Sequence, residues 1–149
     1  MEDEMRRIYL IGSLRNSAVP ALARALRTEG HEVYDDWHAA GPWADDHWKY
    51  YERVDRGHSF KEALTGWAAT HIFQNDKLHL NQADTGVLLL PAGVSGHLEL
   101  GYLAGQGKPV FILLHTPSPD RWDVMYRLAT KVCVIQEELF LALRRLAIP

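Results

Sequence analysis

The chain is poor in cysteine: Cys133 is the single one, so no disulfide can form within it. Its place in the apolar run KVCVI marks it as a buried structural thiol rather than a nucleophile. Positive charge is not in excess either, with 16 Lys and Arg against 19 Asp and Glu and a net charge of −3. That balance argues against a nucleic-acid polymer as partner, which needs a basic footprint, but one local Arg still suffices for a small anionic ligand. No apolar run is long enough to span a bilayer, and MEDEMRR lacks the apolar segment of a secretory leader. The expectation is a cytoplasmic protein with no membrane partner. The eight His are scattered, with no His-Glu-x-x-His and no Cys pair, so neither a metal site nor a cofactor is expected. No Gly-x-Ser-x-Gly elbow is present, which removes the simplest serine-hydrolase reading. GSLRN, residues 12–16, lacks the Gly-x-x-x-x-Gly-Lys spacing of a P-loop.

What is present is a regular alternation. Apolar runs at 6–12, 31–36, 84–91, 108–114 and 131–135 read as strands. Helical patterns fall at 17–30, 94–107, 119–129 and 136–147, the first with Pro20 in its opening turn and Gly30 at its stop. The apolar runs are continuous rather than alternating, which predicts strands buried on both faces. A chain of 149 residues therefore reads as one doubly wound α/β domain with a parallel sheet of about five strands.

The stretch 36–70 departs from that pattern. The sequence from Asp35 to Trp67 holds four of the five Trp, with Tyr50, Tyr51 and a Gly-Pro pair. A long connection of this kind is usually functional, with Trp37, Trp43 and Trp48 stacking on a flat aromatic ligand. A helical excursion whose aromatics pack on the core carries equal weight.

In open α/β sheets, ligands sit at the carboxyl ends of the strands, near the switch in strand order. The residues delivered there are Gly12, Ser13, Arg15 and Asn16 after the first strand and Asp35 and Asp36 after the second. After the third come Gly93, Ser95, His97 and Glu99, and after the fourth Asp123 and Met125. Ser13, Arg15 and the turn amides could hold one phosphate, or form an ordinary turn with an exposed Arg. Glu99 near a helix start is expected to be ionised, favoured by free backbone N–H groups and the dipole. By itself it fits a solvated helix carboxylate, but Gly93, Gly96 and Gly101 around it would let other atoms approach closely.

Together these stretches resemble the nucleoside 2-deoxyribosyltransferase superfamily, which includes the 2'-deoxynucleoside 5'-monophosphate N-hydrolases. The resemblance is carried by IYLIGSLRN, with Tyr9, Gly12, Ser13 and Arg15; by NDKLHLNQADTGVLLL, with Asp76 eight residues before Asp84; and by GHLELGYLAGQGKPV around Glu99. It covers most of residues 8–114. It implies a Glu99 nucleophile that forms a covalent glycosyl-enzyme, with Asp76, expected at a helix start, positioning the sugar or assisting protonation of the leaving base. Tyr9 would hold the nucleophile or the sugar, and Ser13 and Arg15 would meet a 5'-phosphate. DVM, residues 123–125, is similar to the Asn-x-Met with which transferases hold an unphosphorylated sugar, so GSLRN points to a nucleotide and DVM to a nucleoside. A phosphate beside Asp123 would need a cation such as Arg121 between them.

The expected activity is cleavage of the N-glycosidic bond of a (deoxy)nucleoside or nucleoside 5'-monophosphate. Base exchange between deoxynucleosides is one alternative, and a non-catalytic nucleotide-binding module is another. The resemblance also implies a homodimer or higher homo-oligomer in which Asp123 reaches a neighbour's site.

Overall fold

The computed structural model describes residues 5–115 and 123–146. Five strands form one all-parallel sheet in the order β2-β1-β3-β4-β5: β1 (Arg7–Ile11), β2 (Glu32–Tyr34), β3 (Thr85–Leu89), β4 (Val110–Leu113) and β5 (Lys131–Cys133). The order reverses between β1 and β3, so the crevice at their carboxyl ends is the place where such a sheet binds ligands. The expected α/β class and doubly wound parallel sheet are thus observed.

Each strand sends alternate side chains to opposite faces. Ile8, Leu10, Val87, Leu89, Phe111 and Leu113 pack with α1 (Val19–Thr28) and α6 (Gln136–Arg144). Tyr9, Ile11, Leu88, Val110 and Ile112 pack instead with α4 (Trp67–Gln82) and α5 (Val94–Gly105). Burial on both faces explains the unbroken apolar runs: all of β3 is buried. Cys133 lies fully buried in the first of these layers.

Two small residues set how closely α5 approaches. A Cβ on Gly86 of β3 would stand 2.6 Å from Leu103 Cδ1, and one on Gly96 would stand 3.2 Å from Ile11 Cγ2. Gly96, Leu100 and Leu103 form the buried stripe of α5, and Glu99 shares it by helical spacing. At the amino end of the sheet, buried Arg6 donates to Thr85 Oγ1 at 3.0 Å and pairs with Asp84 at 3.3 Å. The Lys108 ammonium donates to the Leu80 and Asn81 carbonyls at the end of α4, where a cation suits the helix dipole. Asp84 and the Gly-Lys-Pro turn therefore serve the scaffold.

Two stretches differ from expectation. Of the helix anticipated at 119–129, residues 116–122 lie outside those described, and Val124–Leu128 is a 3-10 turn capped by Asp123. The connection from β2 to β3 is helical throughout most of its length. It consists of a 3-10 turn (Asp36–Ala40), α2 (Ala44–Tyr50), a π turn (Tyr51–Asp55), α3 (Phe60–Leu64) and then α4. Its aromatics do not go to the core: Trp43 is 56% exposed, Phe60 73% and Trp67 92%. Trp37 is the exception. It packs against both core layers and donates its indole N–H to the Leu10 carbonyl at 2.8 Å.

Candidate active site

Tyr9, Glu99 and Asp76 meet on the α4/α5 side of β1. Tyr9 is fully buried in β1 and donates its hydroxyl hydrogen to the Glu99 carboxylate. Glu99 Oε2 is buried and has no hydrogen-bond partner. Burial, opposed by the Tyr9 hydrogen bond and reinforced by the Asp76 charge, lifts the Glu99 pKa from the ordinary 4.5 to about 7. Burial likewise raises Asp76, against the Asn75 hydrogen bond and His79. Tyr9 itself is pushed well above its usual value by burial and by the Glu99 charge.

This corrects the expectation of a carboxylate held ionised by its helix. Glu99 is the sixth residue of α5, whose N-cap is Gly93. The free N–H groups and the useful part of the dipole belong to the first turn, so desolvation decides instead. Asp76 is likewise not at a helix start: it lies in the carboxyl-terminal half of α4. The glycines divide as well. Gly96 makes close contact, whereas a Cβ at Gly93, Gly101 or Gly105 would meet nothing within 4 Å.

Tyr34, at the end of β2, completes the cluster and was not singled out from sequence. Its ring lies 5.1 Å from Tyr9 and stacks on His79 at 3.8 Å, and its hydroxyl accepts from Asn75 Nδ2 at 3.0 Å. The only sequence signal was a Tyr closing a strand beside two Asp. A cleft of about 270 Å³ opens next to it, lined by Arg7, Glu32, Tyr34, Asp36 and His79 among others.

The turn after β1 forms the rim. Ser13 Oγ accepts from the Arg15 amide at 3.1 Å. Asn16 Oδ1 accepts from the Ala18 amide at 3.0 Å, and its Nδ2 reaches the Pro91 carbonyl at 3.5 Å, joining the β1 and β3 ends. A Cβ on Gly12 would lie 3.6 Å from the Trp37 ring and 3.7 Å from the Leu89 carbonyl, so Trp37 walls the turn instead of standing over an open face. Arg15 is engaged by the segment after β2: its guanidinium donates to Asp46 and to the Pro42 carbonyl and lies 4.7 Å from the Trp43 ring centroid. Trp43 therefore stacks on an arginine rather than offering that face to a base. Trp48 Nε1 is buried without a partner, beside the 2.6 Å pair of buried Glu52 and His58.

On α5, Ser95 is exposed. His97 Nδ1 donates to the Gly93 carbonyl at 2.7 Å, which leaves Nε2 to accept from the Tyr126 hydroxyl at 2.9 Å in the neutral ring. Asp123 spends one carboxylate oxygen on the Met125 amide at 2.8 Å, and Met125 is exposed. Arg121 lies outside the described residues. Among the described residues no cluster of His, Cys, Asp and Glu is arranged for a metal ion, and no helix is long and apolar enough to cross a membrane.

No family model matches the sequence, and no curated protein matches it. Solved structures do. A 2-deoxyribosyltransferase from Bacillus psychrosaccharolyticus superposes with a TM-score of 0.61 at 22% identity, over 90% of each chain. A conserved protein from Enterococcus faecalis V583 gives 0.64 at 16% identity, over 95% of this chain and 99% of its own. A CMP N-glycosidase from Clostridium botulinum gives 0.55 at 14% identity, over 93% of this chain and 98% of its own. The chain thus has the fold that a 2-deoxyribosyltransferase and a CMP N-glycosidase share.

Proposed function

We propose that the protein is an enzyme that cleaves the N-glycosidic bond of a nucleoside or nucleoside 5'-monophosphate, with Glu99 as nucleophile. The observation that carries this reading is the Glu99 carboxylate: on the inner side of α5, held by Tyr9 and with its Oε2 buried and without a partner. A buried polar atom without a partner costs stability and is expected to be paired unless it serves a function. The sequence resemblance and the shared fold support the same chemistry.

In the first step a Glu99 oxygen forms a bond to the anomeric carbon. The C–N bond breaks, and its electron pair leaves with the base, which takes a proton from Asp76. The transition state is oxocarbenium-like, and a carboxylate beside it stabilises the developing positive charge. Asp76 suits the acid role because burial raises its pKa. Water then gives a proton to Asp76 and attacks the same carbon, releasing the sugar and restoring the Glu99 carboxylate. A second base in place of water would give exchange.

Chromatography of free base tests this. Wild type and Glu99→Gln are incubated with ribo- and deoxyribonucleosides and their monophosphates, with and without an acceptor base. Release by wild type alone supports the reading, and a new nucleoside in the presence of acceptor identifies exchange. Intact ligand bound tightly by wild type without turnover would instead make the protein a binding module.

The reading includes self-assembly. Val94 (78% exposed) and Leu98 (70% exposed) share the outer face of α5 with Gly101 and Gly105, and Asp123 would then serve a neighbouring site. Light scattering that returns a monomer at micromolar concentration would remove this part.

A further inference from the structure

The geometry points to Asp46 as a positioning residue that selects against a 5'-phosphate, making an unphosphorylated nucleoside the preferred substrate. The inference rests on the function proposed above. Arg15 belongs to the turn after β1, at the β1/β3 switch, and the sequence resemblance implies that it would meet a 5'-phosphate. In that turn it is the cation available to a phosphate, and it is already engaged on three sides. Asp46 of α2 accepts from a terminal nitrogen, the Pro42 carbonyl accepts from Nε at 3.3 Å, and the Trp43 ring lies 4.7 Å beneath Cζ.

These contacts neutralise the charge of Arg15 and direct its donors toward the segment after β2. The nearby groups add negative charge: the Asp76 charge raises the Glu99 pKa, and Asp76, Asp36 and Glu99 together raise that of Tyr34. A phosphate dianion would have to displace or share Arg15 while facing the Asp46 carboxylate, and like charges at that range repel. A neutral 5'-hydroxyl meets no such opposition. It can bond to Ser13 Oγ, whose hydroxyl hydrogen is not used in accepting from the Arg15 amide. The conflict between GSLRN and DVM is then resolved toward the nucleoside. The decisive residue lies in neither motif but thirty-one positions beyond Arg15.

Asp46 acts only through Arg15, so the test reads discrimination rather than rate. KM and kcat are measured for a nucleoside and its 5'-monophosphate with wild type, Asp46→Asn, Asp46→Glu and Arg15→Gln/Asp46→Asn. Wild type is expected to favour the nucleoside. Asp46→Asn is expected to lower the monophosphate KM and move the kcat/KM ratio toward it by about tenfold. Asp46→Glu should keep the wild-type ratio, and the double variant should lose the shift. Asp46 is half exposed on a surface helix, and circular dichroism checks that each variant is folded. Turnover with a ratio that Asp46→Asn does not move, or a wild-type preference for the monophosphate, would overturn the role of Asp46 alone. If wild type neither binds nor cleaves either compound, the functional reading fails and this inference with it.

Discussion

Two acidic groups of the candidate site, Glu99 and Asp46, lie in opposite settings. Glu99 is partly buried beside Tyr9, its Oε2 is fully buried without a partner, and desolvation lifts its pKa to about 7. Asp46 is half exposed and paired with an Arg15 that is itself 57% exposed. In the first setting desolvation governs which protonation state exists, and the protein holds a carboxylate where water would not stabilise it. In the second, solvent screens the pair, which contributes little to stability. Chemistry is therefore expected from the buried group and selection from the exposed one: a stiff centre fixed by the sheet, and a rim set by the helical excursion.

Substitutions can separate the two. Glu99→Gln should produce the largest loss, roughly 10³-fold or more in kcat/KM, because it removes the proposed nucleophile. It should also stabilise the fold at pH 8. The folded Glu99 pKa lies above the ordinary 4.5, so the folded state holds an extra proton between about 4.5 and 7. Stability falls as pH rises through that window and stays low above it. Replacing the carboxylate removes a penalty of about 3 kcal/mol, which thermal unfolding at pH 4 and pH 8 would show as a difference confined to the higher pH.

Asp76→Asn and Tyr9→Phe should shift the pH profile in opposite directions. The reacting form needs Glu99 ionised and Asp76 protonated, so wild-type kcat/KM is expected to be bell-shaped in pH, with its upper limb at the Glu99 pKa of about 7. Asp76→Asn removes the acid, lowers the rate by about 10²-fold and, with the Asp76 charge gone, leaves a rate that rises with pH through a Glu99 pKa now below 7. Losing the Tyr9 hydroxyl moves the limb higher and lowers the rate at pH 7 by about tenfold. Limbs that do not move would mean that Glu99 does not control the profile.

Scaffold and rim should differ in stability too. Gly86→Ala places a methyl 2.6 Å from Leu103 Cδ1 and should destabilise by about 1–3 kcal/mol in urea titration, shifting α5 and Glu99 with it. Asp46→Asn should change stability by less than about 1 kcal/mol. A larger change there would make the Arg15 contacts part of the scaffold.

The sheet was legible because strands buried on both faces must be continuously apolar, as TGVLL is, and the crevice followed from strand order. Tyr9, Asp76 and Glu99 were legible as residues, but their environment was not. Whether Glu99 is solvated or buried depends on its sharing the stripe of Gly96, Leu100 and Leu103, and on Gly86 letting that stripe settle. The Arg15 contacts could not be read at all: Asp46 is remote in sequence, and nothing in ADDHWKY indicates where its carboxylates point. The helical excursion resisted for a related reason. Its aromatics are largely exposed, so the periodicity that reveals a buried helix face is missing from α4, where Leu80 is the one buried residue.

Mass spectrometry of wild type quenched during turnover tests the central claim most directly. With a cleavable nucleoside present, the account predicts that a fraction of the protein gains the mass of the sugar as an ester, localised by proteolysis to Glu99 and absent from Glu99→Gln. Base release by a chain that stays unmodified, or that carries the sugar on another residue, would contradict it.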